Sequence, residues 1–432
     1  MNWLRRIAEF IEKSTGVKLL GRPVLRKILE NTAYLSIGNA VSKLVTFLIL
    51  IFIARSLGPE SYGSYSTIVA LVGMFVLVAN FGLEPIIIRE GSKQRSRLRE
   101  FVSEYFPLKI VLSLFAFVLL LATLAVTGYA FNFKLLALLY GITLIFTSSA
   151  ETFRYIFNIT QDMRMIALAS MGERFVFAAA TLLLLPVVGG IKAIIVAAII
   201  STGLQLVWYF LQSKNALGGY PSIHPRLAEW KQLLDYSKYF AASGLLSISF
   251  NQLNVVLVSS LANMSQAGLF AAANNLLTGF LIPVQAIQSA LLPVSSAQFK
   301  SKSYFADLRW KVLRGTGIVV LGCVALSIAS GFLVNVFFGP DFLQSVPVLI
   351  ALIWMLPFFV LTIWSDQLLT ATNQQRKYVV LAFIEAVVSI SLSLWLIPTL
   401  GGTGAALSLL ASKVAAVGSG WVFALRAFNK MS

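Results

Sequence analysis

Apolar residues run through the chain in blocks of about twenty or more, each closed by a short polar break. A helix rises about 1.5 Å per residue, so each block is long enough to cross about 30 Å of hydrocarbon. The pattern predicts twelve spans, near 31–54, 63–83, 105–127, 134–157, 167–188, 191–212, 234–261, 267–298, 311–337, 346–370, 378–398 and 404–425. The eighth is long and holds Pro283 and Pro293, which predicts a bend whose lost backbone bonds neighbouring helices can replace. Ahead of the first span, Trp3, Leu4, Ile7, Phe10 and Ile11 recur at helical spacing with Arg5, Arg6, Glu9, Glu12 and Lys13 between them. That pattern predicts an amphipathic helix lying on the membrane surface within a segment 1–28, rather than a cleaved signal, which needs an unbroken apolar run.

Composition narrows the class. Apolar residues make up 58% of 432 positions and charged residues only 12%. Soluble domains carry about 25% charge, and this chain lacks the exterior a water-facing fold requires. Cys323 is the single cysteine and lies in an apolar stretch; His224 is the single histidine and lies in a polar connector. Neither a disulfide framework, nor a metal site, nor a nucleophile–base pair can be assembled from them, and no cofactor is expected.

The net charge of +17 would fit a nucleic-acid partner if it were clustered, but its distribution follows the spans. Twenty-five Lys and Arg fall on one side of the predicted membrane and three (Arg55, Lys134 and Lys192) on the other. The positive-inside rule then places both termini on the cytoplasmic side, with no nucleic acid implied; the expected location is the inner membrane of a prokaryote. Every outward connector is about ten residues or shorter, which leaves no room for an outer catalytic loop. A glycosyltransferase or polymerase activity is therefore not expected.

The two halves of the chain match each other. Ser56-Leu57-x3-Ser61 recurs as Ser260-Leu261-x3-Ser265, 204 residues on. In the last three spans of each half the offset is 212: Arg164 maps to Arg376, Glu173 to Glu385, Pro186 to Pro398, and Gly189-Gly190 to Gly401-Gly402. Eight extra residues between the third and fourth spans of the second half would reconcile the offsets. Six spans per half is an even number, so the halves are parallel repeats, a six-helix lobe over 29–213 and another over 214–432. The expected fold is an all-α membrane protein with a central V-shaped cavity.

Charges inside the spans mark where chemistry can sit. Lys43 lies about twelve residues into the first span, near 18 Å deep, too far for its stem to reach either surface. Its exposure to lipid would cost at least ~2.5–3.5 kcal/mol, so it should face protein or a wet cavity. Thr32, Ser36, Asn39, Lys43 and Thr46 form one stripe at helical spacing, and Ser243, Ser247, Asn251 and Asn254 form its counterpart in the seventh span. Such stripes also hold helices together. Asn274, Thr278, Gln285 and Gln288 extend the theme in the eighth. Lys413 is expected deep in the twelfth span, with no carboxylate at similar depth. Arg154 either snorkels or pairs with Glu151 one turn away. Glu173, Arg174 and Glu385 sit about 10–12 Å deep, and Asp366 lies near the inner end of the tenth span. The substrate-binding candidates are Lys43, Asn39, Arg154, Arg174, Asn251 and Lys413; Glu173, Asp366 and Glu385 are candidate ion-coupling or structural residues. A lumen dominated by cations suits an anion.

Three motifs resemble a known family. Residues 54–66, Ala-Arg-Ser-Leu-Gly-Pro-Glu-Ser-Tyr-Gly-Ser-Tyr-Ser, with Phe81-Gly82-Leu83 and Arg89-Glu90, are similar to the opening hairpin of Wzx-type polysaccharide flippases. Phe338-Gly339-Pro340-Asp341-Phe342 with Pro347-Val348-Leu349, and the stretch from Pro398 to Ala406, resemble two later loops of that family. The resemblance implies the fold of the multidrug/oligosaccharidyl-lipid/polysaccharide exporter superfamily and alternation between inward- and outward-open states. It further implies a polyprenyl-pyrophosphate-linked oligosaccharide as substrate, with membrane lipids and the glycosyltransferases or polymerase of the same pathway as partners, and H+ or Na+ as candidate coupling ions. The alternative is an ion-coupled multidrug exporter of the same superfamily, which calls for a carboxylate in the first span. None lies between Thr32 and Ala54.

Overall fold

The computed structural model describes residues 23–222, 224–297, 301–372, 374 and 376–429, so the predicted surface helix at the start of the chain lies outside the described residues. The regular structure described is helical: α1 (Pro23–Asn80), α2 (Leu83–Lys93), α3 (Leu98–Val126), α4 (Phe131–Thr160), α5 (Met163–Val188), α6 (Gly190–Leu217), α7 (Leu227–Leu261), α8 (Met264–Ala297), α9 (Lys302–Phe338), α10 (Val346–Ile353), α11 (Leu356–Ala371), α12 (Arg376–Leu400) and α13 (Gly402–Asn429). Each of the twelve predicted windows falls on a helix, the tenth on the pair α10–α11. Among the described residues, ten helices are long and apolar enough to cross a membrane, one of them carrying the first two spans.

Helix is the form these segments must take in lipid, because it satisfies every backbone N–H and C=O within the segment. Their outer faces fit that solvent. On α3, Val111, Leu114, Phe115 and Val118 recur at i, i+3, i+4 and i+7 and are about half exposed. On α9, Ile318, Leu321, Ile328 and Phe332 are exposed further still. Stripes of this size would be a liability in water and are the natural contact for acyl chains.

The duplication is written into the helix ends. Adding 204 to the first arm of α1, 23–57, gives the bounds of α7, and adding 204 to 60–93 gives those of α8. The first copy of that second helix is broken at Phe81 and Gly82, both at positive φ, into the second arm of α1 and α2. Adding 212 to the bounds of α6 gives those of α13. Between these, α9 begins 204 residues after α3 begins and ends 212 residues after α3 ends. The eight additional residues therefore lie within the third span of the second half, not in the connector after it. Eight residues are about two helical turns, which lengthen a helix without disturbing the loops at its ends.

The chain divides into two compact units: Met1–Ile49 with Phe75–Ala242, and Leu50–Met74 with Ser243–Ser432. In the first, α4 and α6 pack together, α6 packs on α5, and α3 on α4. Its core gathers Leu83, Phe101, Tyr105, Phe153, Ile156 and Tyr209. Leu233 and Trp230 of α7 join that core, and the Trp230 indole donates to the Glu104 carbonyl at 2.8 Å.

In the second unit, α12 packs on α13, and α9 and α13 pack on α11. The core there centres on Trp364, whose indole N–H donates to the Phe305 carbonyl at 2.9 Å. The motif hairpin at 54–66 belongs to this unit. Gly58 turns the chain at φ 71°, ψ 171°, a conformation that suits glycine, and Pro59 restarts the helix. One turn on, Gly63 crosses α8 at Gly268 in backbone contact: a Cβ on Gly63 would lie 1.7 Å from the Met264 carbonyl oxygen. Tyr62 beside it is buried against Phe342 and accepts from the Asn275 side chain at 2.7 Å.

Candidate functional site

The first arm of α1 carries three distinct sides. At about 100° per residue, Thr32, Ser36, Asn39 and Lys43 fall within about 40° of one line. All four are exposed. A second line, roughly 80–160° round the helix, holds Ile37, Leu44 and Leu48, exposed by 45%, 58% and 56%. The third side holds the contacts that seat the helix. Gly38 packs directly against Ala167 of α5, Asn31 donates to the Gln161 carbonyl at 3.1 Å, and Ile49 is buried.

Segregation of this kind separates the environments that the two exposed sides suit. An apolar exposed side suits acyl chains; a polar side carrying an ammonium is too costly there and suits water or a polar solute. Asn251, the counterpart candidate on α7, has its side chain outside the described residues, as do Ser243 and Ser247. Asn254 does not continue a solvent-facing stripe: it is buried and accepts from Ser393 of α12 at 3.0 Å. A polar residue of that register serves here as a helix-to-helix contact.

Arg154 of α4 does not pair with Glu151. Its guanidinium meets Glu84, at the start of α2, at 3.0 Å, and lies over the Tyr155 ring at 5.4 Å. Glu151 instead faces Lys109 of α3 at 3.8 Å, and Lys109 is wholly buried, donating to Asn80 Oδ1 at 2.5 Å. Sequence reasoning missed Lys109. It sits near the basic end of its span, where a snorkelling lysine is the ordinary expectation. The available signal was the set of three polar residues, Asn80, Lys109 and Glu151, at similar distances from the basic ends of three successive spans.

The remaining candidates form two further groups. On α5, Arg174 meets Glu173 at 2.9 Å, and Ser201 of α6 donates to the same carboxylate at 3.4 Å. In the second unit Lys413 is not unmatched: its ammonium lies 2.6 Å from Glu385 of α12 and 4.6 Å from the centre of the Phe359 ring. Depth counted along single helices could not show this, because Glu385 and Lys413 run toward each other from opposite ends of an antiparallel pair. Asp366 of α11, with the Thr362 hydroxyl beside it, lies within electrostatic reach of both Lys413 and Glu385. Structure thus brings Lys413 and Glu385 together, and Glu173 with Arg174. Lys43 and Asn39 share the polar side of α1.

No group of three or more His, Cys, Asp or Glu arranged to hold a metal occurs among the described residues. His224 lies in its connector, its ring 2.9 Å from the Ser222 hydroxyl.

Comparison with known proteins gives matches over nearly the whole chain. Residues 28–299 match the polysaccharide biosynthesis protein family. A relative in Shigella flexneri, described as "Putative O-antigen transporter", is 23% identical over 88% of this chain and 94% of its own length. "Probable low-salt glycan biosynthesis flippase Agl15" of Haloferax volcanii is 22% identical over 87% of this chain and 78% of its own. Among solved structures, the lipid II flippase MurJ in an inward closed conformation superposes with a TM-score of 0.72 at 16% identity, covering 92% of this chain and 89% of that one. An inward-facing multidrug resistance MATE family transporter of the MOP superfamily gives 0.69 at 15% identity, covering 93% and 98%. At such identities the two structures speak for the fold, which they share with this multi-pass membrane chain.

Proposed function

The chain belongs to the polysaccharide biosynthesis protein family, and from that premise we propose that it is a flippase for a polyprenyl-pyrophosphate-linked oligosaccharide. The anionic sugar head passes along the polar side of α1 while the lipid tail stays in the bilayer. The protein works by alternating access, and its basic helix ends and both termini lie in the cytoplasm, as the positive-inside pattern requires. The observation that carries this reading is the ammonium of Lys43 on an exposed polar side, with Asn39 one turn away and an apolar side facing elsewhere.

Lys43 supplies a point charge to the pyrophosphate, and Asn39 donates to its oxygens or to sugar hydroxyls. Arg154 and Arg174 are the further cations of the first unit; each is part-exposed beside its carboxylate, so an incoming phosphate competes with that partner. Lys413 is engaged by Glu385 and stands apart from this set. Outward movement of an anion is favoured by a negative-inside potential, by ~2.3 kcal/mol per charge per 100 mV. The same fold serves multidrug transporters, but the polar side of α1 offers a cationic drug no carboxylate partner.

Complementation of a flippase-null strain tests the reading. With the variants present in the membrane at wild-type levels, Lys43→Ala and Lys43→Glu should abolish or strongly reduce glycan export, and Lys43→Arg should retain part of it. Full export by Lys43→Glu would overturn the assignment.

A further inference from the structure

The connector between the two halves of the chain is held along one turn of α3. Pro107 lies inside that helix and has no N–H to give to the carbonyl four residues back, that of Ser103. The His224 backbone N–H donates to that carbonyl instead, at 3.1 Å. Ser103 Oγ accepts from the Ser222 N–H at 3.0 Å, and Arg99, one turn earlier, donates to the Tyr220 carbonyl at 2.9 Å. The next carbonyl, that of Glu104, takes the Trp230 indole N–H at 2.8 Å. A proline thus leaves an acceptor open on α3, and the connector and the start of α7 occupy it and its neighbours. All of these bonds lie within the first unit, whereas α7 passes into the second after Ala242.

Charge closes the same face. Arg226 Nη1 lies 2.9 Å from Glu104 and 3.1 Å from Glu229. Two carboxylates on one nitrogen stand within about two hydrogen-bond lengths of each other. The Glu104 side chain, just ahead of the third span, is only 12% exposed. The other charges on this face are matched among themselves: Arg89 and Lys93 of α2 pair with Glu90, and Arg97 with Glu100. Arg99 is taken up by the Tyr220 carbonyl, the His224 ring by Ser222, and Tyr236 of α7 lines the same cleft as a neutral phenol. Arg226 is therefore the cation on which both carboxylates depend. Burial, and then the hydrogen bond and like charge of Glu229, push the Glu104 carboxyl up to about 7 against the pull of Arg226 and Arg97. In water the same carboxyl titrates near its ordinary value of about 4.3. The closed arrangement thus binds the proton more tightly, is favoured at acid pH, and loses that advantage as pH rises through about 7.

We propose that Tyr220, Ser222, His224 and Arg226 form a strap that fastens the start of α7 to α3, and that the Glu104–Arg226–Glu229 clasp loosens this strap as the surrounding solution turns from acid to alkaline. The fastening comes from backbone acceptors and is present at every pH; the clasp adds the contribution of one shared proton. A closed strap ties the start of α7 to the first unit. An open one leaves it attached there through Leu233 and the core that residue joins.

Amide hydrogen exchange of the purified full-length protein in detergent, corrected for the intrinsic rate at each pH, reads the strap without reference to what is carried. Its outcome is therefore separate from that of the flippase reading. In wild type, protection of the segment 220–230 should fall by roughly tenfold between pH 6 and pH 8 and level off above. Glu104→Gln, neutral at every pH, and Glu229→Gln, which removes the like charge, should each flatten that fall. His224→Asn keeps the backbone N–H but removes the other side chain of this face whose ordinary titration lies near neutrality, and it should keep the wild-type fall. Pro107→Ala gives the Ser103 carbonyl a partner within α3, so the strap should exchange faster at every pH while α3 itself exchanges more slowly. A flat wild-type profile would overturn the clasp, as would a fall that survives both glutamate variants or disappears in His224→Asn. A strap as protected in Pro107→Ala as in wild type would overturn its fastening to α3.

Discussion

The most deeply buried charge among the described residues is Lys109, and it is balanced by partners. Lys109 has no exposed surface, and its ammonium is held by Asn80 and Glu151. Removal of one member of such a pair leaves the other charged in a medium that cannot solvate it, at a cost of about 3–5 kcal/mol. Lys109→Met should therefore lower the thermal unfolding temperature sharply, and Lys109→Met/Glu151→Gln should recover most of the loss. A single variant as stable as wild type would show that Glu151 finds another partner. Charges at this scale were half legible in the sequence. The positions of Lys43, Glu173, Glu385, Arg154 and Lys413 inside apolar blocks were plain, because a single helix suffices to place them. Their partners were not: Glu84 and Arg154 lie 70 residues apart, and Glu84 follows a helix break at Phe81 and Gly82 that periodicity does not encode.

Helices and their crossings were far more legible. Each of the twelve apolar blocks falls on helix, because hydrocarbon leaves the backbone little choice. The two offsets of the repeat reappear as helix ends, and only the place of the eight-residue insertion differed, since a longer helix and a longer loop look alike in an apolar run. Close crossings needed the structure. Gly63 and Gly268 meet where neither has room for a side chain, so Gly63→Ala should destabilise the second unit and reduce the yield of monodisperse protein. Gly172→Ala is the control: nothing lies within 4 Å of the new Cβ, and alanine favours helix by about 1 kcal/mol. Its stability should equal or exceed wild type in the same thermal assay. Equal behaviour of the two variants would mean that the crossing tolerates displacement.

At the scale of the whole molecule, class and family were readable from residues alone, while the site was readable only as a set of candidates. A stripe of Thr32, Ser36, Asn39 and Lys43 can be drawn on any helical wheel; that it is exposed, and parted from an apolar exposed side, is a property of packing against α5. Passage of a polar head along α1 requires that parted surface to be wet along its polar line. Thiol reactivity measures this directly, because a cysteine reacts as its thiolate and needs water to ionise. Cys323 is buried and replaceable by alanine, which leaves a background without reactive thiols. Single cysteines at Ser36, Asn39 and Lys43 should then react with a charged, water-soluble methanethiosulfonate at least roughly tenfold faster than cysteines at Ile37, Leu44 and Leu48. Equal rates along the helix, or faster labelling at Ile37, Leu44 and Leu48, would contradict the assignment of this face to a polar substrate.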